Sequence, residues 1–279
     1  MDITTLYKIY LECTSVTTDS RNCPEGSLFI ALKGDSFNGN AFAAKALESG
    51  SAYAVVDEPE YAPAGDSHYI LVDNCLHTLQ QLANYHRRQL GTRLIGITGT
   101  NGKTTTTALT GALFQGAGKR AFVLGNIGVP ITQEAKNTRP GDYVVAEVAA
   151  LQLESIKRFR PNAMGMLNIS EDHLNRFENR MENYVAAKCR AFENQRPEDF
   201  AVLNYDDPVV RDMARLTKAR VVYFSQAQAL GEGMCLQDGR MTFRLDGREI
   251  PLVRPGELQI PGAHNLENAM CAATLALCM

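Results

Sequence analysis

The chain has 279 residues, enough for one large domain or two of ordinary size. Hydrophobic residues make up 45% and charged residues 21%, so a real core can be buried. The net charge of −3 argues against a nucleic-acid footprint and leaves small anions to be held by a local positive site.

Residues 1 to about 90 alternate short apolar runs with helical patterns. SLFIALKG (27–34) reads as a strand, and NAFAAKALESG (40–50) as a helix stopped by Gly50. AYAVVD and YILVD read as strands. CLHTLQQLANYHRRQLG (75–91) reads as a helix with Leu76, Leu79, Leu82 and Tyr85 or His86 at helical spacing. A second series opens at Leu94. LIGIT, AFVLG, DYVVAEVA, NAMGMLNIS, FAVLNYDD and RVVYFS read as strands, with a helix from Thr104 to about Gln115 and a long helical pattern from Asp172 to Asn194. Strands alternating with helices predict a mostly parallel sheet covered on both faces. Asp238–Gly239 and Asp246–Gly247 mark hairpin turns in the tail, and an apolar helix runs from Leu266 to Met279.

The predicted fold is therefore α/β. A small N-terminal α/β domain (1–90) precedes a phosphate-loop-type, mostly parallel sheet domain (91–279) with a small β-hairpin extension.

Seven cysteines are scattered without a C-x-x-C pair, which fits reduced thiols rather than a disulfide frame or zinc site. MDITTLYKIY lacks the features of a signal peptide, and no apolar run approaches the roughly 18 residues of a membrane span. A soluble, cytoplasmic protein is expected, with no nucleic-acid partner and no membrane insertion, and monomeric by default.

GITGTNGKTTTT (96–107) sits where a strand should end. A loop between strand and helix aims backbone N–H groups at one spot, and the helix dipole favours an anion there. Gly99 and Gly102 allow close backbone approach, Lys103 can reach β- and γ-phosphate oxygens, and Thr104 can place a hydroxyl on Mg²⁺. The general phosphate-loop pattern has a glycine where Ile97 stands, so the match is the shorter G-T-N-G-K-T-T; a plain Gly-rich turn capped by threonines is the alternative. Glu147 ends an apolar strand of the same sheet, a usual place for a Mg²⁺-binding carboxylate. Asp172 and His173 follow another strand and should reach the same edge. By residue type alone, Lys188 reads as an ordinary surface lysine.

GTNGKTTT, GNIGVP, AEVAALQLE, LNISEDHLNRF, YVAAKCRAFENQ, VLNYDDP and PGAHNLENAMCAA occur in the order found in the Mur ligases, which add amino acids to UDP-N-acetylmuramoyl peptides. The resemblance covers nearly the whole chain. From about residue 93 it is closest to the D-glutamate-adding branch. TTDSRNCPEGSLFIALKGDSFNGNAF (17–42) instead resembles the UDP-binding domain of the D-alanyl-D-alanine-adding and diamino-acid-adding branches.

The resemblance implies an ATP- and Mg²⁺-dependent ligase that phosphorylates the carboxylate of a UDP-N-acetylmuramoyl peptide and joins it to the amine of an amino acid or dipeptide. On that pattern Gly99, Thr100, Asn101, Gly102, Lys103, Thr104 and Thr105 would hold the phosphates, with Asn265 and Asn268 facing the adenine. Thr104 and Glu147 would bind one Mg²⁺. His173 and a carbamylated Lys188 would hold a second. Asn126 would touch the muramoyl substrate, and Ser20, Arg21 and Lys33 are candidates for the UDP moiety. D-glutamate is the expected amino acid, with D-alanyl-D-alanine addition or a non-catalytic nucleotide-binding remnant as alternatives.

Two departures stand out. Ala149 and Ala150 replace the usual serines after the strand-end glutamate, and Met279 falls just where the family's C-terminal domain should begin. An unrelated phosphate-loop kinase or GTPase fits poorly because the N-K-x-D guanine motif is missing, and folylpolyglutamate synthetase fits EVAALQLE and TTDSR less well.

Overall fold

The computed structural model describes residues 1–279 except Asp35 and His173, with Thr132 and Gln133 described by backbone alone. The chain divides into two compact units, Met1–Gly91 with Ile131–Pro140, and Thr92–Pro130 with Gly141–Met279.

In the first unit, strands β1 (Val16–Thr17), β2 (Leu28–Ile30), β5 (Tyr53–Val56) and β6 (Tyr69–Leu71) form a parallel sheet in the order β1-β2-β5-β6. The run SLFIALKG does not continue as one strand. It breaks after Ile30, and β3 (Lys33–Gly34) pairs with β4 (Phe37–Asn38) in a separate antiparallel ladder. The cause is local: the Gly39 N–H returns to the Leu32 carbonyl at 3.0 Å and closes the small loop on itself.

The helix Ile3–Glu12 starts at Asp2, whose carboxylate accepts from the Thr4 and Thr5 N–H groups. The helix Cys75–Leu90 starts at Asn74 and buries Cys75, Leu82 and His86, whereas Leu76 is exposed, against the stripe read from spacing. The segment Ile131–Pro140 belongs to this unit through His86 Nε2, which lies 2.9 Å from the Ala135 carbonyl, and through Lys136 Nζ, 4.7 Å from the Tyr10 ring centroid.

In the second unit, and among the described residues, β7 (Arg93–Thr98), β8 (Ala121–Gly125), β9 (Tyr143–Glu147), β10 (Ala163–Met166), β11 (Phe200–Asn204), β12 (Arg220–Ser225), β13 (Gly233–Gln237), β14 (Arg240–Leu245) and β15 (Arg248–Pro251) build one nine-stranded sheet. Its order is β8-β9-β7-β10-β11-β12-β13-β14-β15, parallel up to β13 and antiparallel beyond. The two Asp-Gly pairs turn those last strands, with Asp238 and Asp246 at φ 49° and 53°.

The strands are apolar on both faces because both are covered. Leu94, Val144, Met164 and Leu203 pack with Leu153, Ala187 and Phe192 on one side. Ile95, Ile97, Val145 and Val202 pack with Phe114, Met270 and Leu275 on the other, under the helices Lys103–Gly116 and Ala263–Cys278.

The stretch Asp172 to Asn194 is not one helix. Glu178 and Asn179 are left-handed (φ 56° and 54°), and the regular helix runs only from Met181 to Cys189.

β7 has β9 on one side and β10 on the other, so the chain reverses direction across the sheet there. Loops leaving the carboxyl ends of such strands frame a crevice, and this is where open α/β sheets bind ligands.

Candidate functional site

The phosphate-loop sequence lies at that switch point, between the end of β7 and the helix Lys103–Gly116. Two glycines are required there. Gly99 sits at φ 152°, and a Cβ on it would lie 2.9 Å from Leu167 Cβ; Gly102 sits at φ 81°, and a Cβ would lie 2.2 Å from Asn268 Oδ1. Asn168 docks the loop. Its carbonyl accepts from Thr100 N–H at 2.9 Å and its Oδ1 from Asn101 N–H at 2.8 Å. Those two amides are thus engaged with protein. The intrahelical ladder opens with Thr106 N–H to the Gly102 carbonyl at 2.9 Å, which places the amides of Gly102 through Thr105 at the helix's unsatisfied N-terminus.

The threonine run divides its tasks. Thr104 Oγ1 donates to Glu147 Oε2 at 2.8 Å. Thr106 Oγ1 donates to Asn268 Oδ1 at 3.2 Å. Thr107 bonds back to the Lys103 carbonyl at 2.7 Å, as buried helical threonines do. Thr105 is half-buried in the first turn. Lys103 turns its ammonium onto the carbonyls of Gly99 (3.1 Å) and Thr100 (2.7 Å).

Glu147 ends β9 beside β7 and is 3% exposed. Asn126, just past β8, donates to its other oxygen, Oε1, at 2.9 Å. Both donors are neutral, so the buried carboxylate is hydrogen-bonded without being neutralised by them. A carboxylate and a hydroxyl held together are suited to a hard divalent cation. Among the described residues no three His, Cys, Asp or Glu side chains gather, so an ion here would rely on hydroxyl, phosphate and water oxygens as well.

Lys188 departs most from its reading by residue type. It is 1% exposed, and its ammonium donates to the Gly99 carbonyl at 2.8 Å and to Thr98 Oγ1 at 3.5 Å. Burial, with the positive charge of Lys103 added, brings its pKa down to about 7, against a smaller opposing pull from Asp172. His173 lies outside the described residues.

Asn268 is 4% exposed and fits over Gly102; its Nδ2 donates to Asn265 Oδ1 at 3.2 Å, and Asn265 Nδ2 donates to the Pro261 carbonyl at 2.8 Å. Ala150 is packed in the core, and Ala149 caps the short helix Ala150–Leu153 without a side-chain bond.

In the first unit Arg21 is exposed and paired with Asp19 at 2.9 Å, next to half-buried Ser20. Lys33 bridges Asp57 at 2.9 Å and Glu58 at 2.8 Å, and Asp57 also binds Asn40 and the Cys75 N–H.

Sequence reasoning missed Asn168 and Tyr184. Asn168 is part of NIS after β10, but only the fold reveals that it faces the loop. Tyr184 had one sequence signal, its position four residues before Lys188.

The Mur ligase middle-domain family model matches residues 97–276, and the model described as Mur ligase family, catalytic domain, matches residues 12–87. The chain is similar to the UDP-N-acetylmuramoylalanine–D-glutamate ligase of Alkaliphilus metalliredigens, 46% identical over 183 residues, which is 66% of this chain and 40% of that protein. It is also similar to the enzyme of the same name from Pelotomaculum thermopropionicum, 45% identical over 199 residues, or 71% of this chain and 43% of the relative. The chain therefore spans less than half the length of these curated relatives.

Among solved structures, MurF from Acinetobacter baumannii superposes with a TM-score of 0.73 at 22% identity, covering 99% of this chain and 64% of that one. The MurF ligase of Thermotoga maritima in complex with ADP gives 0.71 at 20% identity, covering 94% and 62%. These two likenesses concern the fold. The middle-domain match takes in most of the residues, and by it the chain belongs to the Mur ligase family.

Proposed function

We propose that the chain carries the nucleotide and UDP-substrate sites of an ATP-dependent amide ligase of peptidoglycan precursor synthesis, joining D-glutamate to UDP-N-acetylmuramoyl-L-alanine. The 46% identity to a ligase of that name favours D-glutamate over D-alanyl-D-alanine. The observation that carries the reading is the Thr104–Glu147 bond of 2.8 Å, which ties the phosphate loop's helix to a buried carboxylate on the neighbouring strand.

In this reading the amides of Gly102 to Thr105 and the positive helix end hold the phosphate tail. Lys103 leaves its two backbone acceptors and reaches the β- and γ-oxygens. Thr104 and Glu147 would hold Mg²⁺, and Asn126, which donates to Glu147, would face the muramoyl substrate. ATP would supply the phosphoryl group that converts the substrate carboxylate into an acyl phosphate, leaving ADP; the amine of the amino acid would then attack the acyl carbon and form the amide with loss of phosphate and a proton, and Mg²⁺ would draw negative charge from the phosphate oxygens.

A pKa near 7 gives Lys188 a large neutral fraction at neutral pH. The neutral amine can add CO₂ and release a proton to become a carbamate, whose oxygens would serve a second metal together with His173. A cation close by would stabilise that charge. Asn265 and Asn268 lie toward the adenine. Ser20, Arg21 and Lys33 take the UDP moiety, Arg21 and Lys33 exchanging their carboxylate partners for its charge.

Among the described residues no helix is long and apolar enough to cross a membrane. We place the protein in the cytoplasm as a monomer, where its nucleotide-linked substrates would be made.

The test is phosphate release with UDP-N-acetylmuramoyl-L-alanine, D-glutamate and Mg-ATP, run beside the tripeptide substrate with D-alanyl-D-alanine. Release with the first pair alone is expected. Release with the second pair alone would move the assignment to the other branch, and silence in both alongside tight ATP binding would leave a nucleotide-binding module without ligase activity.

A further inference from the structure

Tyr184 stands one helical turn before Lys188 and is 2% exposed, and nothing in the chemistry above uses it. Its hydroxyl meets the phosphate loop and its ring meets Lys188, which reaches the same loop. The hydroxyl lies 3.2 Å from Thr100 Oγ1, and Lys188 Nζ sits 4.7 Å from the centroid of the ring. Lys188 itself donates to the Gly99 carbonyl at 2.8 Å. Residues four apart share a helix face. One face of the helix Met181–Cys189 therefore grips Gly99 through the lysine and Thr100 through the tyrosine. Phe177 braces the tyrosine from its edge, with ring centroids 5.2 Å apart.

The hydrogen-bond inventory of Thr100 gives the tyrosine a definite role. Thr100 Oγ1 accepts from Ser170 N–H at 3.0 Å and lies 3.2 Å from the Ser170 carbonyl. A hydroxyl has one proton and two lone pairs. With that proton donated to the Ser170 carbonyl and one lone pair taken by Ser170 N–H, the second lone pair is left for the tyrosine O–H. Tyr184 then donates, and Thr100 is fully satisfied at a buried position. Its side chain faces the protein interior, whereas Lys103 and Thr104 serve the phosphate side.

We infer that Tyr184 is a positioning residue of the nucleotide site, holding the Gly99–Thr100 turn so that the amides from Gly102 onward stay aligned for phosphate. The inference rests on the nucleotide-binding reading proposed above.

Two readouts test it. Hydrogen exchange of a peptide spanning residues 99–103 is followed in the ligand-free chain, and Mg-ATP affinity is measured by calorimetry. Tyr184→Phe keeps the ring and removes the donor; it should speed exchange and weaken binding, each roughly five- to tenfold, as for one lost hydrogen bond. Thr100→Val removes the tyrosine's acceptor together with the two Ser170 bonds and should have at least as large an effect, whereas Thr100→Ser keeps the hydroxyl and should stay near wild type in both readouts. The Tyr184→Phe/Thr100→Val pair should bind no more weakly than Thr100→Val alone, because the valine already removes the acceptor of the tyrosine's hydrogen bond. A urea midpoint separates loop effects from global stability. Wild-type affinity together with wild-type exchange in Tyr184→Phe overturns the positioning role alone. A wild-type chain that binds no Mg-ATP overturns the proposed nucleotide site and this role with it.

Discussion

Lys103 and Lys188 donate to the same acceptor, the carbonyl of Gly99, at 3.1 and 2.8 Å. Burial, with the repulsion of Lys103 added, takes the Lys188 ammonium down to about 7 from the 10.5 usual for lysine. The consequence for stability has a definite sign. Between about pH 7 and 10.5 the unfolded chain binds a proton at Lys188 that the folded chain does not, so stability rises with pH across that window, and the penalty is fully present below it. Lys188→Met should therefore unfold at higher urea at pH 7, by about 1–4 kcal/mol. The gap should shrink toward pH 10. Equal midpoints at pH 7, or a gap that widens with pH, would count against a buried, strained ammonium.

Lys103 and Glu147 should fail in different ways. On the proposed nucleotide site, Lys103→Ala would remove a charge that reaches the phosphates and should weaken nucleotide binding in the presence and absence of Mg²⁺, by about 2–3 kcal/mol. Glu147→Gln keeps the shape and the Asn126 and Thr104 neighbours but loses the charge. It should abolish the gain in affinity that Mg²⁺ gives while leaving metal-free binding near wild type. Calorimetry with and without Mg²⁺ reads both, and identical losses in the two variants would dissolve the separate roles.

Much of this was legible because local chemistry specified it. The Asp-Gly turns, the strand–loop–helix around Lys103 and the doubly apolar strands each follow from nearest neighbours in the chain. The resemblance singles out Lys188, but its burial was not legible from residue type, since that depends on Tyr184, Thr98 and the loop meeting in space, and a lysine within YVAAKCRAF has the composition of a surface helix. The helix expected over 172–194 failed at Glu178 and Asn179, where left-handed backbone interrupts a pattern that periodicity alone cannot see broken. The hydroxyl of Thr100 is engaged by Ser170 and Tyr184, an arrangement that the GTNGKTTT pattern alone does not reveal.

His86 offers a second pH test in the first unit. It lies between Tyr7 Oη, 3.0 Å from Nδ1, and the Ala135 carbonyl, 2.9 Å from Nε2, so the neutral ring accepts from the tyrosine and donates to the carbonyl. Burial lowers its pKa below 6.5 with help from Lys136, against a smaller opposing pull from the Ala135 bond. The unfolded chain then takes up the proton first, and stability falls as pH drops below about 6.5 toward the folded pKa. His86→Gln can keep one donor and one acceptor. It should flatten the acid limb of a urea-midpoint profile between pH 7 and 5, and protection of residues 131–140 against hydrogen exchange, taken relative to the intrinsic rate at each pH, should fall in acid in the wild type but less in the variant. A profile unchanged by the substitution would assign the acid sensitivity elsewhere.

Ala149 gives a gain-of-function test of a departure from the family pattern. It occupies the N-cap of the short helix Ala150–Leu153 with extended backbone (φ −82°, ψ 155°) and no side-chain bond to the first turn, while its own N–H donates to Gln152 Oε1 at 2.9 Å. A serine in that conformation can accept from the N–H two or three residues on and complete a reciprocal cap with Gln152. Ala149→Ser should raise stability by about 0.5–1 kcal/mol in urea denaturation. Ala150→Ser gives the contrast: Ala150 is buried in the core, so a hydroxyl there should cost about 1–3 kcal/mol. A variant series in which both serines destabilise equally would mean that Ala149 is not poised as a cap, and that the two alanines were fixed by packing alone.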